Sequence, residues 1–167
     1  MSARETILHL IKELGIKTYI EVGCWQGELL RQVKALGVKV IGIDPHKVEF
    51  NEFGDYKCRM SLNRQTQPYT QEELDKIASD LKEEFGDDYL KMTSKEAAGL
   101  DLKAEMVFID AIHDYPHIKE DIELWKDKAT IILCGDDYKT TFYGLQVGVD
   151  ESLPDRTIEG VVWYILK

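Results

Sequence analysis

The residues best placed to do chemistry in this sequence are carboxylates at the ends of apolar runs. Glu21 lies within the run Tyr19–Val22, immediately before a turn that carries Gly23 and Gly27. A carboxylate at the end of a buried strand would repel a pyrophosphate by several kcal/mol in a partly dry site, so a ligand with a cationic head would suit this turn better. Asp44 ends the next apolar run and is placed to accept hydrogen bonds from a ribose diol.

A second set of carboxylates follows two later apolar runs. Asp110 comes directly after Glu105–Ile109, and Asp136 and Asp137 come shortly after Thr130–Leu133. Because parallel strands end at the same rim of a sheet, these side chains are expected to converge. Clustered carboxylates repel one another and raise each other's pKa, and a hard cation such as Mg²⁺ would relieve that repulsion. The alternative is that Asp136 and Asp137 only cap the turn that follows them.

The elements that must position these residues follow an alternating strand and helix pattern. Gly23 and Gly27 separate a buried strand from a helical stripe that ends at Gly37, which is the opening of a doubly wound α/β fold. The spacing Gly-x-x-x-Gly lacks the middle glycine of the dinucleotide fingerprint, which disfavours a nicotinamide oxidoreductase. We expect a Rossmann-like, mostly parallel seven-stranded sheet with helices on both faces. Residues 156–158 and 161–166 predict an antiparallel C-terminal edge hairpin.

Capping signals mark further helices. Ser2 and Glu5, and later Thr70 and Glu73, have the spacing of capping boxes, and the residues that follow each pair form an apolar helical stripe. A short strand is predicted at Tyr89–Met92. After it, Thr93 and Ser94 are placed to cap another helix.

The stretch Pro45–Tyr69 shows no sustained periodicity. A loop of this length that leaves the carboxyl edge of a strand is usually functional or disordered. We expect a lid or a substrate-contacting insert within a single domain that spans residues 1–167, or else a solvated loop with no special role. The residues of this stretch that could contact a substrate are Tyr56, Arg59, Arg64 and Tyr69.

Composition narrows the class of protein. The formal net charge is −10 over 167 residues, and no basic patch offsets it, so a nucleic-acid backbone is disfavoured as a partner. No apolar run approaches the length that spans a membrane. Cys24, Cys58 and Cys134 have no metal-type spacing, and reduced thiols in a cytoplasmic protein are the simplest account. The expected partner is a small-molecule substrate, and a homodimer is left open.

Several motifs taken together resemble one family. Glu21–Gly27 followed by Gly42–Asp44 resembles the first two motifs of class I S-adenosylmethionine-dependent methyltransferases. Phe108–Tyr115, Asp121–Trp125 and Gly135–Tyr138 are similar to a group of small O-methyltransferases. That group is related to the sugar O-methyltransferases of macrolide and aminocoumarin biosynthesis and, more distantly, to catechol O-methyltransferases. The resemblance extends over nearly the whole chain except Pro45–Tyr69.

The resemblance implies a role for individual residues. The cofactor S-adenosylmethionine would be bound by Glu21, Gly23, Gly27, Asp44, Met92, Thr93, Ser94 and Asp110. A magnesium ion would lie on Asp110, Asp136 and Asp137. The catalytic base of the catechol-type enzymes falls on His113, whose ordinary pKa of about 6.5 suits proton transfer near neutral pH. Packing or capping at the next helix is the alternative for His113, whereas His46 and His117 are predicted to be surface residues.

The expected activity is therefore methyl transfer to a small-molecule acceptor, at a hydroxyl oxygen and with help from magnesium. Two alternatives stay open. The transfer could be independent of metal, with His113 and substrate positioning alone, or the chain could be a cofactor-binding module without activity. The chain lacks the N-terminal helices of the catechol type and is much shorter than the sugar enzymes, so the substrate class does not carry over.

Overall fold

The computed structural model describes residues 2–48 and 69–167. The predicted insert falls mostly outside these ranges, and so do Tyr56, Arg59 and Arg64. The helices are α1 (Ala3–Glu13), α2 (Glu28–Ala35), α3 (Gln71–Phe85), α4 (Ser94–Ala98), α5 (Tyr115–Trp125) and α6 (Tyr143–Ser152). The strands are β1 (Thr18–Val22), β2 (Lys39–Ile43), β3 (Tyr89–Leu90), β4 (Ala104–Ile109), β5 (Ala129–Gly135), β6 (Thr157–Glu159) and β7 (Val162–Leu166).

The strands form a seven-stranded sheet in the order β3-β2-β1-β4-β5-β7-β6. The first five strands pair in parallel, β7 is antiparallel to β5, and β6 is antiparallel to β7. This confirms the predicted sheet with its closing hairpin. The antiparallel strand β7 lies one position in from the edge, and β6 forms the edge itself.

Helices cover both faces of the sheet, as predicted, because neighbouring residues of a strand point to opposite sides. On one face, Tyr19 and Phe108 pack with buried residues of α1, α2 and α3. On the other, Ile20 and Val107 pack with buried residues of α4, α5 and α6. Both faces of the central strands are therefore covered, which explains why these strands are continuous apolar runs.

The predicted helix starts are confirmed by their caps. The Ser2 hydroxyl accepts the Glu5 N–H, and the Thr70 hydroxyl accepts the Glu73 N–H, each within a reciprocal capping box. A third capping box joins Thr93 to Glu96 at the start of α4. Among the described residues, no helix has both the length and the apolar character needed to cross a membrane.

Candidate functional site

The turn after β1 packs closely against the end of β4. Gly23 has φ +90°, and a Cβ atom there would lie 2.0 Å from the carbonyl oxygen of Asp110. Gly27 has φ +74°, and a Cβ on it would lie 2.7 Å from the Leu81 side chain. The backbone of Asp110 leaves no room for a Cβ at Gly23, whereas at Gly27 the positive φ is the stronger reason for glycine. Glycine also leaves the backbone of Gly23 open to the cleft beside it.

Glu21 points into this cleft from β1 and is nearly inaccessible, with 4% of its surface exposed. Its carboxylate accepts a hydrogen bond of 3.1 Å from the Tyr19 hydroxyl. Burial raises the pKa of Glu21 well above its ordinary value, and the nearby charge of Asp110 raises it further. A cationic ligand in the cleft would stabilise the charged form of Glu21.

Arg4 of α1 brings a positive charge to the same cleft. Its side chain lines the cavity together with Glu21, Asp110 and Asp136, and it forms an ion pair of 2.5 Å with Glu28. The cleft thus presents one guanidinium among several carboxylates. Sequence reasoning missed Arg4, because nothing in the sequence shows that the first turn of α1 lies over the carboxyl ends of the central strands.

Asp44 is buried, with 5% of its surface exposed. One carboxylate oxygen accepts the Trp25 N–H at 3.0 Å, and the other accepts the His46 N–H at 2.8 Å. Asp44 therefore joins the end of β2 to the turn after β1. Each oxygen keeps a second lone pair that could accept from a ligand hydroxyl.

His46 is not the surface residue that the sequence predicts. Its side chain is fully buried and contacts the Trp25 carbonyl, the Tyr89 hydroxyl and the Asp44 carboxylate. The prediction was wrong because these partners come from three separate segments of the chain. His117 is partly exposed and bonds to Asp114 at the start of α5.

Asp110, His113 and Asp137 form a second grouping beside the cleft. The His113 Nε2 atom lies 3.2 Å from Asp110 Oδ1 and 3.3 Å from Asp137 Oδ2. Burial acts to lower the pKa of His113, but the hydrogen bond to Asp110 and the surrounding carboxylates outweigh it, so the pKa lies above its ordinary value. The His113 ring also packs against Phe142, with 4.6 Å between ring centroids.

These three residues have the composition of a site for a divalent cation. One donor atom from each lies within 4.8 Å of the donor atoms of the other two. Two carboxylate oxygens fit Mg²⁺, whereas an imidazole nitrogen is a more usual ligand for transition metals such as Zn²⁺. The donor set therefore fits a divalent cation without selecting magnesium.

Asp136 is not part of this grouping. Its Oδ1 atom accepts the N–H of Asp137 at 2.6 Å, which is the turn-capping role weighed for it from the sequence. Burial raises the pKa of Asp136 to about 6, and the charges of Asp110 and Asp137 act in the same direction. Asp136 nevertheless lines the cleft, together with Glu21, Gly23 and Asp110.

The segment after β3 lies apart from the cleft lining. Thr93 is the N-cap of α4, and the Ser94 hydroxyl donates to Asp121 while it accepts the Trp125 Nε1–H at 2.9 Å. Burial raises the pKa of Asp121 to about 6. Sequence reasoning did not identify this buried carboxyl, although its position in the stripe with Ile118, Ile122 and Trp125 was a usable signal.

No protein-family model and no curated protein sequence matches this chain. Solved structures do match it. An O-methyltransferase from Bacillus cereus in complex with S-adenosylhomocysteine is 12% identical with a TM-score of 0.60, and the match covers 98% of this chain and 80% of that one. The O-methyltransferase TomG from Streptomyces achromogenes, in complex with S-adenosylmethionine, is 14% identical with a TM-score of 0.57, covering 100% and 81%.

A third similar structure, magnesium protoporphyrin IX methyltransferase from Synechocystis with bound S-adenosylmethionine, is 13% identical. Its TM-score is 0.59, and the match covers 98% of this chain and 77% of that chain. At these identities the likeness shows the fold, which is the Rossmann-like fold of S-adenosylmethionine-dependent methyltransferases, as the resemblance in sequence predicts.

Proposed function

We propose that this protein transfers a methyl group from S-adenosylmethionine to a hydroxyl oxygen of a small-molecule acceptor. The observation that carries the proposal is the position of Asp110. It lines the cleft that contains Glu21, and it also contacts His113 in the grouping with Asp137. A methyl donor bound in the cleft and an acceptor bound at the grouping would thus both lie beside Asp110. Positioning two reactants next to each other is a large part of catalysis.

The cleft residues fit the amino-acid part of the cofactor. Glu21 and Asp110 supply negative charge for an ammonium or sulfonium group, and Arg4 supplies positive charge for a carboxylate. Because Gly23 has no side chain, its backbone beside these residues is accessible to the ligand. Asp44 would accept from the ribose through its remaining lone pairs, and Met92, Thr93 and Ser94 would border the adenine. When bound, the cofactor supplies an electrophilic methyl group on sulfur.

On the acceptor side, His113 takes the hydroxyl proton at Nε2 from the tautomer that carries its hydrogen on Nδ1, and the Nε2–H so formed can donate to Asp110 or Asp137. Asp110 and Asp137 lie 3.2 and 3.3 Å from that atom and stabilise the resulting imidazolium. Phe142 packs against the ring and restricts its rotation. This arrangement needs no metal, so the metal-independent reaction is a specific alternative to the magnesium-assisted one.

A divalent cation would instead be held by Asp110 and Asp137, with either Asp136 or His113 as a third ligand. Bound there, it would lower the pKa of the acceptor hydroxyl. His113 cannot be a metal ligand at Nε2 and accept a proton at the same atom. A requirement for metal would therefore assign the proton to another base or leave His113 outside the metal site.

Calorimetric titration with S-adenosylhomocysteine, with magnesium and then with a chelator, tests the cofactor class. One site per chain supports the proposal, and no binding in either buffer contradicts it. Binding without methyl transfer across a broad acceptor panel would favour a silent binding module. Activity that survives the chelator would favour the metal-independent reaction.

Two variants then separate the two halves of the site. Asp44→Ala should weaken binding of S-adenosylhomocysteine, because the carboxylate joins the turn to the end of β2. Asp137→Ala should preserve binding and abolish turnover. Asp101→Ala, at an exposed position before β4, is the control and should leave both unchanged. If Asp44→Ala and Asp137→Ala both bind normally, the assignment of the cofactor site is wrong.

A further inference from the structure

The buried His46 contacts the proposed cofactor turn but has no role in the chemistry proposed above. Its Nε2 atom lies 2.9 Å from the Trp25 carbonyl oxygen, and its Nδ1 atom lies 2.7 Å from the Tyr89 hydroxyl oxygen. A carbonyl oxygen can only accept, so Nε2 carries the hydrogen. The Tyr89 hydroxyl lies within hydrogen-bond distance of Nδ1 and also lies 3.3 Å from the backbone carbonyl oxygen of Asp44. Both ring nitrogens therefore have a hydrogen-bond partner within the protein.

His46 also fixes the two backbone N–H groups that donate to the Asp44 carboxylate. Its own N–H donates to Asp44 Oδ1, and the Trp25 N–H donates to Asp44 Oδ2. The imidazole holds the Trp25 carbonyl and is nearly parallel to the Trp25 ring, with 5.8 Å between centroids and an interplanar angle of 16°. The orientation of Asp44 therefore depends on two amides that His46 fixes.

The backbone at these positions needs such support. Trp25 has φ +46° and His46 has φ +42°, values that residues other than glycine rarely adopt. Strained conformations of this kind persist only where several contacts fix them. Without the ring contacts, Trp25 would be free to relax toward negative φ, and its N–H would turn away from Asp44.

We propose that His46 is a positioning residue for cofactor binding: its imidazole holds Trp25 and Asp44 in the geometry that accepts the ribose. This inference rests on the proposed function. His46 does not touch the reacting atoms, so its loss is expected to act on affinity and to leave the transfer step intact.

The test compares His46→Leu with His46→Gln. The glutamine amide can donate an N–H to the Trp25 carbonyl and form a second hydrogen bond to the Tyr89 hydroxyl, whereas leucine can form neither. Both variants carry a similar backbone strain at this position. His46→Leu should weaken S-adenosylhomocysteine binding and raise the KM for S-adenosylmethionine about tenfold or more, with kcat within a factor of about two. His46→Gln should restore affinity to within a factor of about three.

Val149→Ala is the control for general loss of stability. Val149 is fully buried in α6 and belongs to the packing on the opposite face of the sheet from Cys24, the residue before Trp25. This variant should lower the melting temperature without changing affinity. Equal affinities for His46→Leu and His46→Gln, or a His46→Leu affinity that matches wild type, would overturn the proposal.

Hydrogen exchange of the peptide that contains residues 23–27 gives a readout that needs no cofactor. In the unliganded protein, His46→Leu should accelerate exchange of this peptide, and His46→Gln should not. Unchanged exchange in His46→Leu would overturn the positioning role. If the wild-type protein does not bind S-adenosylhomocysteine, the proposed function fails, and this comparison still decides whether His46 fixes the turn.

Discussion

Arg4 and Glu21 present opposite charges to one cleft. Their positions would orient the amino-acid part of the cofactor, with its carboxylate toward Arg4 and its cationic group toward Glu21. Glu21 is buried and surrounded by further carboxylates, so it favours a cationic group. Arg4 is about half exposed and is paired only with the exposed Glu28 in its described ion pair. An exposed pair of this kind contributes little stability, so Arg4 can exchange Glu28 for a ligand carboxylate at low cost.

Arg4→Ala should weaken binding of S-adenosylhomocysteine about tenfold or more, because hydrogen bonds to a charged group contribute about 1.5–3 kcal/mol. Binding of 5′-methylthioadenosine, which lacks the amino-acid head, should not change. Calorimetric titration of both ligands against both proteins checks this. Equal losses for the two ligands would show that Arg4 acts on the fold of the cleft and does not bind the carboxylate.

Asp121 allows a prediction on pH, because its pKa is raised to about 6 by burial. A raised carboxyl pKa stabilises the folded state below the unfolded value of about 3.9, and this stability is lost as the pH rises through about 6. Asp121→Asn removes the effect. The free energy of unfolding of Asp121→Asn relative to wild type should therefore increase by up to about 3 kcal/mol from pH 4 to pH 8.

Urea unfolding at several pH values measures this difference. Ser94→Ala is the matched comparison, because it keeps the Asp121 carboxyl but removes a hydroxyl donor that favours the charged form. Ser94→Ala should therefore lose more stability than wild type as the pH rises. Parallel pH profiles for wild type and Asp121→Asn would contradict the burial argument.

At the scale of elements, the turn between β1 and α2 depends on a close approach to β4. Gly23→Ala should cost the strain of a positive φ, about 1–2 kcal/mol, plus a clash with the Asp110 carbonyl oxygen at 2.0 Å. Gly37→Ala shares the positive φ, at +79°, but its Cβ would meet nothing within 4 Å. It should cost only the strain.

Thermal unfolding of the two variants compares these costs directly. Gly23→Ala should also lose S-adenosylhomocysteine binding, because β4 must move away from the turn or the turn must unfold. Gly37→Ala should bind normally. Equal losses of stability in the two variants would mean that the contact between Gly23 and Asp110 is easily relaxed.

The elements themselves were largely predictable, because their signals are local. The capping boxes at Ser2 and Thr70 and the continuous apolar strands each follow from neighbouring residues. The position of a candidate site residue was predictable only where topology fixes it, as for Asp110 at the end of β4. The burial of His46 and the entry of Arg4 into the cleft depend on side chains brought together from distant segments, which no local pattern encodes.

At the scale of the whole molecule, the strand order explains why the candidate site residues lie at one edge of the sheet. β1 and β4 are central neighbours, and both are followed by candidate site residues at their carboxyl ends. This is where a doubly wound sheet reverses its strand order and opens a crevice for ligands. The β6–β7 hairpin lies at the far edge of the sheet and contributes no residue to the described cleft.

Ligand binding should therefore stabilise the molecule unevenly. On the proposed function, S-adenosylhomocysteine at about 100 times its Kd should add about 2.7 kcal/mol to the free energy of unfolding, as does any ligand that binds only the folded state. Hydrogen exchange should slow most in the peptides that follow β1, β2 and β4. Exchange of peptides from β6 and β7 should slow only at those amides that exchange through global unfolding, because the ligand makes global unfolding rarer. Protection centred on the hairpin would place the ligand elsewhere and contradict the proposed cleft.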